Sequence, residues 1–585
     1  MTNVENSCFN LPIYYLMNKK EIQEHVITDL ELKENKETQT KSLYTYVFNP
    51  SNKFSEKTIE LWSKYYTSDK HFIKDSQKII KKEFNYILKT SQVDEVSLIM
   101  DEIEKETSFN DKYYYIDIKM FEFFNNDSQF LQWLSIYNMS SPVISLLLPI
   151  LFLILPLILL KLQGVPISVL KYIEILKHLF ARHSIGQLFN IGSVGWDKLI
   201  YIIVSTGFYV LQVYQNIVAC YKFYKNMEKI HHQLFIIRDY VDITLQHMNQ
   251  YNKSYKKIKT YKPFIAVMNK HALTLQCMKD ELIKVEPNTF GITKFKQIGH
   301  VMKCFYQLYK NNESISALKY SFGFNGYLDN LCGLKENIKN LHIAEGKISF
   351  TKNKNKKSTI NIKTTFVDAY FPTLINANPV KNSYSLDKHI LITGPNAAGK
   401  TTLLKTTIFN IILSQQIGCG FYKSGCIEPY DSIHCYINIP DTSKRDSLFQ
   451  AEARRCKDIL TYINSEPTTT RHFCVFDELY SGTNPYEAIG SAYAFLKYLN
   501  KFDNVSFMLT THYLDLCRRL DTEEKIMNIH MKISRANVED NDFKYTYKME
   551  KGISTIRGGV KVLIDLDYPK EIIDTTHSII KELIL

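Results

Sequence analysis

No two of the 11 cysteines in this 585-residue chain form a C-x-x-C pair, and they are scattered along it. That leaves no paired-thiolate zinc framework, implies no disulfide scaffold and points to a reducing compartment. Cys220 and Cys474 lie in apolar runs and read as core residues. The first 20 residues also lack the order of a cleavable secretory signal: a short apolar patch is present, but its positive charges follow it. Charge is missing altogether from two stretches, Pro142 to Leu160 and Leu199 to Tyr221. There is no acidic excess either. The formal net charge is +12, which favours a polyanionic partner, either nucleic acid or an acidic membrane face. With 45% hydrophobic and 23% charged residues, the chain has the balance of a folded protein, and its length allows several domains.

What is present centres on Leu391. Lys388 to Thr393 reads as a strand, Thr402 to Leu413 as a helix, and Gly394-Pro395-Asn396-Ala397-Ala398-Gly399-Lys400-Thr401 joins them. That segment fits G-x-x-x-x-G-K-[ST], a phosphate-binding loop, in the strand–loop–helix setting it requires. Gly394 and Gly399 let the backbone curl so that successive N–H groups face an anion, and the helix N-terminus adds its positive dipole. Lys400 reaches the β- and γ-phosphates, Thr401 offers a hydroxyl to Mg²⁺, and Thr402 continues the binding segment. A chance match in a Gly-containing turn is the bland alternative. Two further strand ends weigh against it. His472 to Phe476 is a buried-strand pattern ending at Asp477 and Glu478. Asp477 can hold the metal and Glu478 can activate the attacking water. Val505 to Thr511 is another such strand and ends at His512, a candidate γ-phosphate sensor and second catalytic group.

These segments resemble the MutS family, whose ATPases belong to the ABC class. Thr393-Gly394-Pro395-Asn396, Asp477-Glu478-Leu479-Tyr480-Ser481-Gly482-Thr483-Asn484 and Thr511-His512-Tyr513 carry the likeness. Ala377-Asn378-Pro379 resembles the segment that flanks the nucleotide base, and Gly552-Ile553-Ser554 and Tyr568 to Ile573 resemble the family's last strand and helix. Asp446-Ser447-Leu448-Phe449-Gln450-Ala451-Glu452 is similar to the signature that completes a partner subunit's site, which implies a dimer with Ser447 facing the partner's nucleotide. The likeness runs from about Phe366 to Leu585. Ala397-Ala398 replaces the usual Met-Gly or Met-Ser, Tyr480 replaces a basic residue, and Lys444-Arg445 precedes the signature. These departures bear on dimer closure rather than on nucleotide binding.

The resemblance implies an α/β C-terminal ABC-type P-loop ATPase domain over residues 346–585, with ATP and Mg²⁺ as its ligands. The rest of the chain reads as α-helical: an N-terminal region over 1–140 and a core and lever region over 222–345, separated by a transmembrane helix hairpin over 141–221. Ser55 to Phe84 shows helical periodicity through Ile59, Trp62, Tyr65 and Tyr66, and Val93 to Glu106 reads as another helix. Phe54-Ser55-Glu56 has the letters of the family's mismatch wedge, but such a tripeptide is common by chance and reads rather as a helix start, and the region is too short for mismatch-recognition and connector domains. The uncharged stretches 142–160 and 199–221 are each close to the roughly 20 residues of a bilayer span. A pair of buried core helices is the alternative. Spanning would put both chain ends and the ATPase domain on the cytosolic side, with the protein otherwise cytoplasmic. The linker's Lys161, Lys171, Lys177, Arg182 and Lys198 run against the positive-inside tendency, and Val169 to Phe180 is amphipathic.

Tyr251 to Lys262 interleaves tyrosines with Lys253, Lys256, Lys257 and Lys259. This is either a DNA-contacting patch, lysines on phosphates with tyrosines packing or stacking, or a solvated lever tip. An unbroken helix from Tyr221 would carry Lys253 about 45 Å from a membrane. Lys352 to Lys357 reads as a solvated turn before the ATPase domain. Two functions remain open: a DNA-binding MutS-like ATPase in repair or recombination, or a membrane mechanochemical or scaffold ATPase. Two spans are few for an ABC transporter's translocation path.

Overall fold

The computed structural model describes residues 8–34, 40–164, 168–182, 196–286, 292–349, 363–437, 448–535, 543–554, 556 and 558–582. Contacts divide the chain into two units that interleave along the sequence. One comprises 1–87, 246–270 and 319–585; the other comprises 88–245 and 271–318.

The first unit holds the α/β sheets. Among the described residues, six strands lie in the order 543–551, 526–535, 389–393, 505–510, 472–477, 432–436. All neighbours are parallel except the edge pair Phe543–Lys551 and Ile526–Arg535. His389–Thr393, Val505–Thr510 and His472–Asp477 are nearly continuous apolar runs because both faces are covered. Helices Leu448–Ser465, Pro485–Leu499 and Leu514–Leu520 cover one face through Ile459, Phe495 and Leu516. Helix Lys400–Ile417 packs against Val505–Thr510 and His472–Asp477 and also touches Cys419–Gly420 of a second, five-stranded sheet. It is buried from Thr406 to Ile417. Burying Leu404, Ile408, Ile411 and Ile412 contributes roughly 1.5–3 kcal/mol each.

The polar end of that helix is closed by the N-terminal segment. Gln416 donates to the carbonyls of Trp62 (2.6 Å) and Tyr65 (2.7 Å) and accepts from the Tyr44 hydroxyl (2.9 Å). Gln415 donates to the carbonyls of Thr67 (3.1 Å) and Tyr430 (2.7 Å). These contacts correct one sequence expectation. The helical periodicity does not run through Tyr65 and Tyr66: helix Lys53–Trp62 stops, Tyr65–Thr67 is a strand paired with Lys19–Glu21, and helix Lys70–Lys81 follows. The carbonyls of Trp62, Tyr65 and Thr67 satisfy the buried glutamines instead of continuing the helix. Phe54 is buried and stacked on Phe322 at 4.5 Å, and Asn52 caps the helix behind it, so Phe54-Ser55-Glu56 is a helix start and not an exposed wedge.

The second unit is helical. Helices Thr90–Lys105, Ser128–Leu162 and Ile292–Lys310 and much of Trp196–Tyr255 build it, with Phe109 stacked on Tyr309 at 3.9 Å in its core. The uncharged stretch 142–160 lies inside Ser128–Leu162, and 199–221 inside the 60-residue helix Trp196–Tyr255. Leu199–Tyr255 is long and apolar enough to cross a membrane by length and composition, and its most apolar stretch is not buried.

Candidate nucleotide-binding site

The strand His389–Thr393 delivers the loop and helix Lys400–Ile417 leaves it. Gly394 (φ 151°) and Gly399 (φ 91°) take left-handed or extended-positive backbone, as the loop chemistry requires. Ala397 also sits at φ 62°, a left-handed position that costs a β-carbon residue roughly 1 kcal/mol. Ala398 has no such strain and is buried.

Lys400 is buried and donates to the carbonyls of Gly394 (3.1 Å) and Pro395 (3.3 Å), curling back along its own loop. Burial lowers its pKa, with Glu478 and Asp477 pulling the other way. Thr401 Oγ1 donates to Asp477 Oδ2 at 2.8 Å, and Thr510 Oγ1 donates to Oδ1. Burial raises the Asp477 pKa, and the two threonine hydroxyls oppose that shift. Adjacent hydroxyl and carboxylate oxygens are the donors a hard, water-keeping cation takes, so Thr401 and Asp477 fit Mg²⁺.

His512 Nε2 lies 2.8 Å from Glu478 Oε1 and 3.0 Å from Lys400 Nζ. One ring nitrogen cannot donate to the carboxylate and accept from the ammonium at once. Lys400 is already held by two carbonyls, so the hydrogen bond to Glu478 is the one that stands. It holds the Glu478 carboxyl below its usual range, against the opposing effect of burial. Glu478 itself occupies a left-handed backbone position (φ 54°), as does Tyr480 (φ 59°). The turn after the acidic pair is braced by Glu452, whose carboxylate accepts from Ser481 N (3.1 Å), Ser481 Oγ (2.9 Å) and Gly482 N (3.2 Å).

A cavity of about 570 Å³ opens on the loop and reaches Glu478. Asn396, Ala397 and Gly399 to Thr402 line its phosphate end, and Tyr370, Phe371 and the Ala377-Asn378-Pro379 segment line the other. Tyr547 of the edge hairpin lies over Gly399, where a β-carbon would come within 3.3 Å of its ring. A second cavity of about 740 Å³ meets Asp477 and Glu478 beside Glu452 and Arg455. There Arg455 donates to His25, and burial with the adjacent guanidinium holds His25 down to about 4.

The fold therefore brings together Gly394, Pro395, Asn396, Ala397, Ala398, Gly399, Lys400, Thr401, Thr402, Asp477, Glu478 and His512. Ser447 and Lys352 to Lys357 lie outside the described residues. Lys253, Lys256, Lys257 and Lys259 are exposed and take no part in this site. Of the two expectations for their tyrosines, packing or stacking on bases, burial of Tyr251, Tyr255 and Tyr261 matches packing. The segment is not a free lever tip: Tyr261 stacks on Phe72 at 5.2 Å and Thr260 donates to Asp75 at 2.8 Å, so 255–261 packs on helix Lys70–Lys81.

Sequence reading missed Glu452 as a brace, Tyr370 and Phe371 as cavity lining, Tyr547 and Gly558. A β-carbon at Gly558 would stand 2.3 Å from Pro395 Cβ, so only glycine lets that chain press on the loop. The aromatic pair before Pro372 was the one signal available; the others depend on contacts distant in sequence.

Residues 390–584 match the family model of MutS domain V, an ABC-type ATPase domain. The chain is 30% identical over 210 residues to the DNA mismatch repair protein MutS of Bacteroides fragilis, covering 35% of this chain and 23% of that protein. It is 28% identical over 214 residues to DNA mismatch repair protein MSH3 of Meyerozyma guilliermondii, covering 35% and 22%, and 28% identical over 209 residues to Msh2 of Dictyostelium discoideum, covering 35% and 21%. The chain thus spans less than a quarter of the length of these curated relatives. With the loop and Glu478 lining one cavity, and Asp477 and His512 hydrogen-bonded to Thr401 and Glu478, the C-terminal third of the chain is a MutS domain V ATPase, distantly homologous to the MutS and MSH proteins over that third alone.

Proposed function

We propose that the protein is a membrane-anchored MutS-type ATPase that pairs through its ATPase domain and couples ATP hydrolysis to movement of its helical arms on DNA. The observation that carries the ATPase is the linkage of Lys400, Thr401 and Glu478, which line one cavity, to Asp477 through Thr401 at 2.8 Å and to His512 through Glu478 at 2.8 Å. Lys400 leaves the loop carbonyls for the β- and γ-phosphates, and His512, held by Glu478 at 2.8 Å, stands ready to answer the γ-phosphate. Thr401 and Asp477 would hold Mg²⁺, which would supply charge neutralisation at the phosphates. Glu478, kept ionised, takes a proton from water as its oxygen attacks the γ-phosphorus and the bond to the β-phosphate oxygen breaks, giving ADP and phosphate.

What supports the DNA arm is the net charge of +12 and the exposure of Lys253, Lys256, Lys257 and Lys259 with no carboxylate partner among the described residues. What supports the membrane arm is the pairing of the two uncharged helices. Tyr209 donates to the Ser145 carbonyl at 3.3 Å, Asn216 donates to the Ser145 hydroxyl, and Cys220 lies 3.4 Å from the Met139 carbonyl. Polar groups thus meet between the helices while Leu147, Leu151, Leu155, Ile203 and Leu211 stay exposed. Exposed Trp133, Tyr137, Tyr221 and Tyr224 ring one end, and Trp196 and Tyr201 the other. Tyr201 to Tyr221 is about 30 Å of helix, the thickness of a bilayer's hydrocarbon core, and aromatic residues favour its two boundaries.

The test is ATP turnover by detergent-purified protein, with Glu478→Gln as the blank, measured with duplex, mismatched and branched DNA and with lipid vesicles. Stimulation by a DNA form supports the main reading. Turnover indifferent to every DNA but raised by vesicles supports the second one, a membrane mechanochemical or scaffold ATPase. Equal rates for wild type and Glu478→Gln would overturn the catalytic assignment.

A further inference from the structure

Helix Trp196–Tyr255 carries two glutamines, Gln212 and Gln215, inside its uncharged stretch, and both are exposed. Neither is hydrogen-bonded among the described residues, unlike Tyr209 and Asn216, which face the neighbouring helix. Each residue turns an α-helix by about 100°. Gly207, Leu211 and Gln215 therefore form one row that drifts about 40° per step, with Val204 and Phe208 on the same face and Gln212 at its edge nearest Asn216; the row itself lies roughly opposite Tyr209, Asn216 and Cys220. All six are exposed, and a β-carbon at Gly207 would meet nothing within 4 Å. In water this face needs no explanation. In hydrocarbon it does, because a carboxamide removed from water seeks hydrogen-bond partners and lipid tails offer none.

We propose that the Gly207–Leu211–Gln215 face of this helix is a self-association surface that pairs with the same face of a second copy of the chain inside the bilayer. The inference rests on the membrane reading above. A second copy is the occupant the chemistry favours. A carboxamide both donates and accepts, so two identical faces related by a two-fold axis satisfy each other's glutamines without any further group. Gly207 lets the two backbones approach closely, as small residues do in membrane helix pairs. Val204, Phe208 and Leu211 then fill the seam beside the amides.

The experiment uses the full chain, labelled at its C-terminus with a donor or an acceptor fluorophore and co-reconstituted without nucleotide in phosphatidylcholine vesicles. Energy transfer is read against the protein-to-lipid ratio. Wild type should show saturable transfer. Gln212→Leu with Gln215→Leu should weaken association about tenfold, Gln215→Asn should restore part of it, and Leu155→Ala, on the other helix, should leave it unchanged. Each sample is also washed with alkaline carbonate. Protein removed by the wash overturns the membrane reading and this inference with it. Protein that resists the wash but transfers energy equally well with leucine at 212 and 215 overturns this inference alone and leaves the anchor standing.

Discussion

Replacing Glu452 tests the brace behind the acidic pair most directly. Its carboxylate is 2% exposed and accepts three hydrogen bonds of 2.9–3.2 Å from Ser481 and Gly482. In Glu452→Ala, two backbone N–H groups lose a charged acceptor, a bond that contributes about 1.5–3 kcal/mol, and water reaching exposed Ser481 and half-buried Gly482 offsets part of that loss. The loss should total about 1–3 kcal/mol. Glu452→Gln keeps one acceptor oxygen but turns an amide N–H₂ toward the other donor, which should cost about 0.5–2 kcal/mol. The turn also holds Glu478 and Tyr480 in left-handed backbone, a conformation that costs roughly 1–3 kcal/mol per residue and persists only where the surroundings enforce it. Released, it should move Glu478 by a fraction of an ångström to 1 Å, enough to lower kcat on the order of 100-fold. KM for ATP should change little, because Glu452 does not line the nucleotide cavity. The assay is steady-state ATP turnover paired with urea unfolding, followed by the fluorescence of Trp62, which is buried in the same unit, in a Trp133→Phe, Trp196→Phe background. Wild-type kcat together with an unmoved unfolding midpoint in Glu452→Ala would refute the brace.

Four other outcomes follow from the same geometry. Thr510→Val removes a hydroxyl that opposes the upward shift of Asp477, so the Asp477 pKa should rise further and the acidic limb of the kcat/KM profile should move to higher pH; an unmoved limb would separate Asp477 from the rate. Burial holds His389 at about 4 and His434 at about 3, against 6.5 unfolded, so the unfolded chain binds more protons below pH 6.5. Stability should therefore be full above pH 6.5 and fall toward pH 3–4, by up to about 1.4 kcal/mol per pH unit for each histidine; urea midpoints against pH, with His434→Gln flattening the slope, check this. Gly558→Ala forces a β-carbon to 2.3 Å from Pro395 Cβ and should cost about 1–3 kcal/mol of loop distortion, read as weaker binding of a fluorescent ATP analogue; unchanged affinity would show that the contact relaxes freely. Lys256→Glu with Lys257→Glu should weaken DNA binding and flatten its salt dependence, by a log–log slope of about 0.9 for each phosphate that the lysines no longer neutralise; an unchanged slope would remove this segment from the DNA reading.

Much of the nucleotide site was legible because its chemistry is local. A strand must bring the chain to Gly394 and a helix must leave from Lys400, and the residue types between them answer to phosphate whatever surrounds them. Asp477, Glu478 and His512 could be read as strand ends for the same reason: an apolar run that stops at a charged residue marks where a buried sheet meets its cleft. The uncharged stretches were equally local, since the absence of charge over about 20 residues needs no fold to be seen.

What the tertiary structure decided is everything that depends on partners far along the chain. Periodicity could not stop the helix at Trp62, because the reason lies in Gln415 and Gln416, some 350 residues away, which claim the carbonyls of Trp62, Tyr65 and Thr67. Composition could not distinguish stacking tyrosines from core ones, and Tyr251, Tyr255 and Tyr261 proved to be core. The brace on the Glu478 turn is a contact between segments that sequence spacing does not connect. Local chemistry writes itself into neighbouring residues; packing pairs residues by distance in space, which the order of the chain alone does not record.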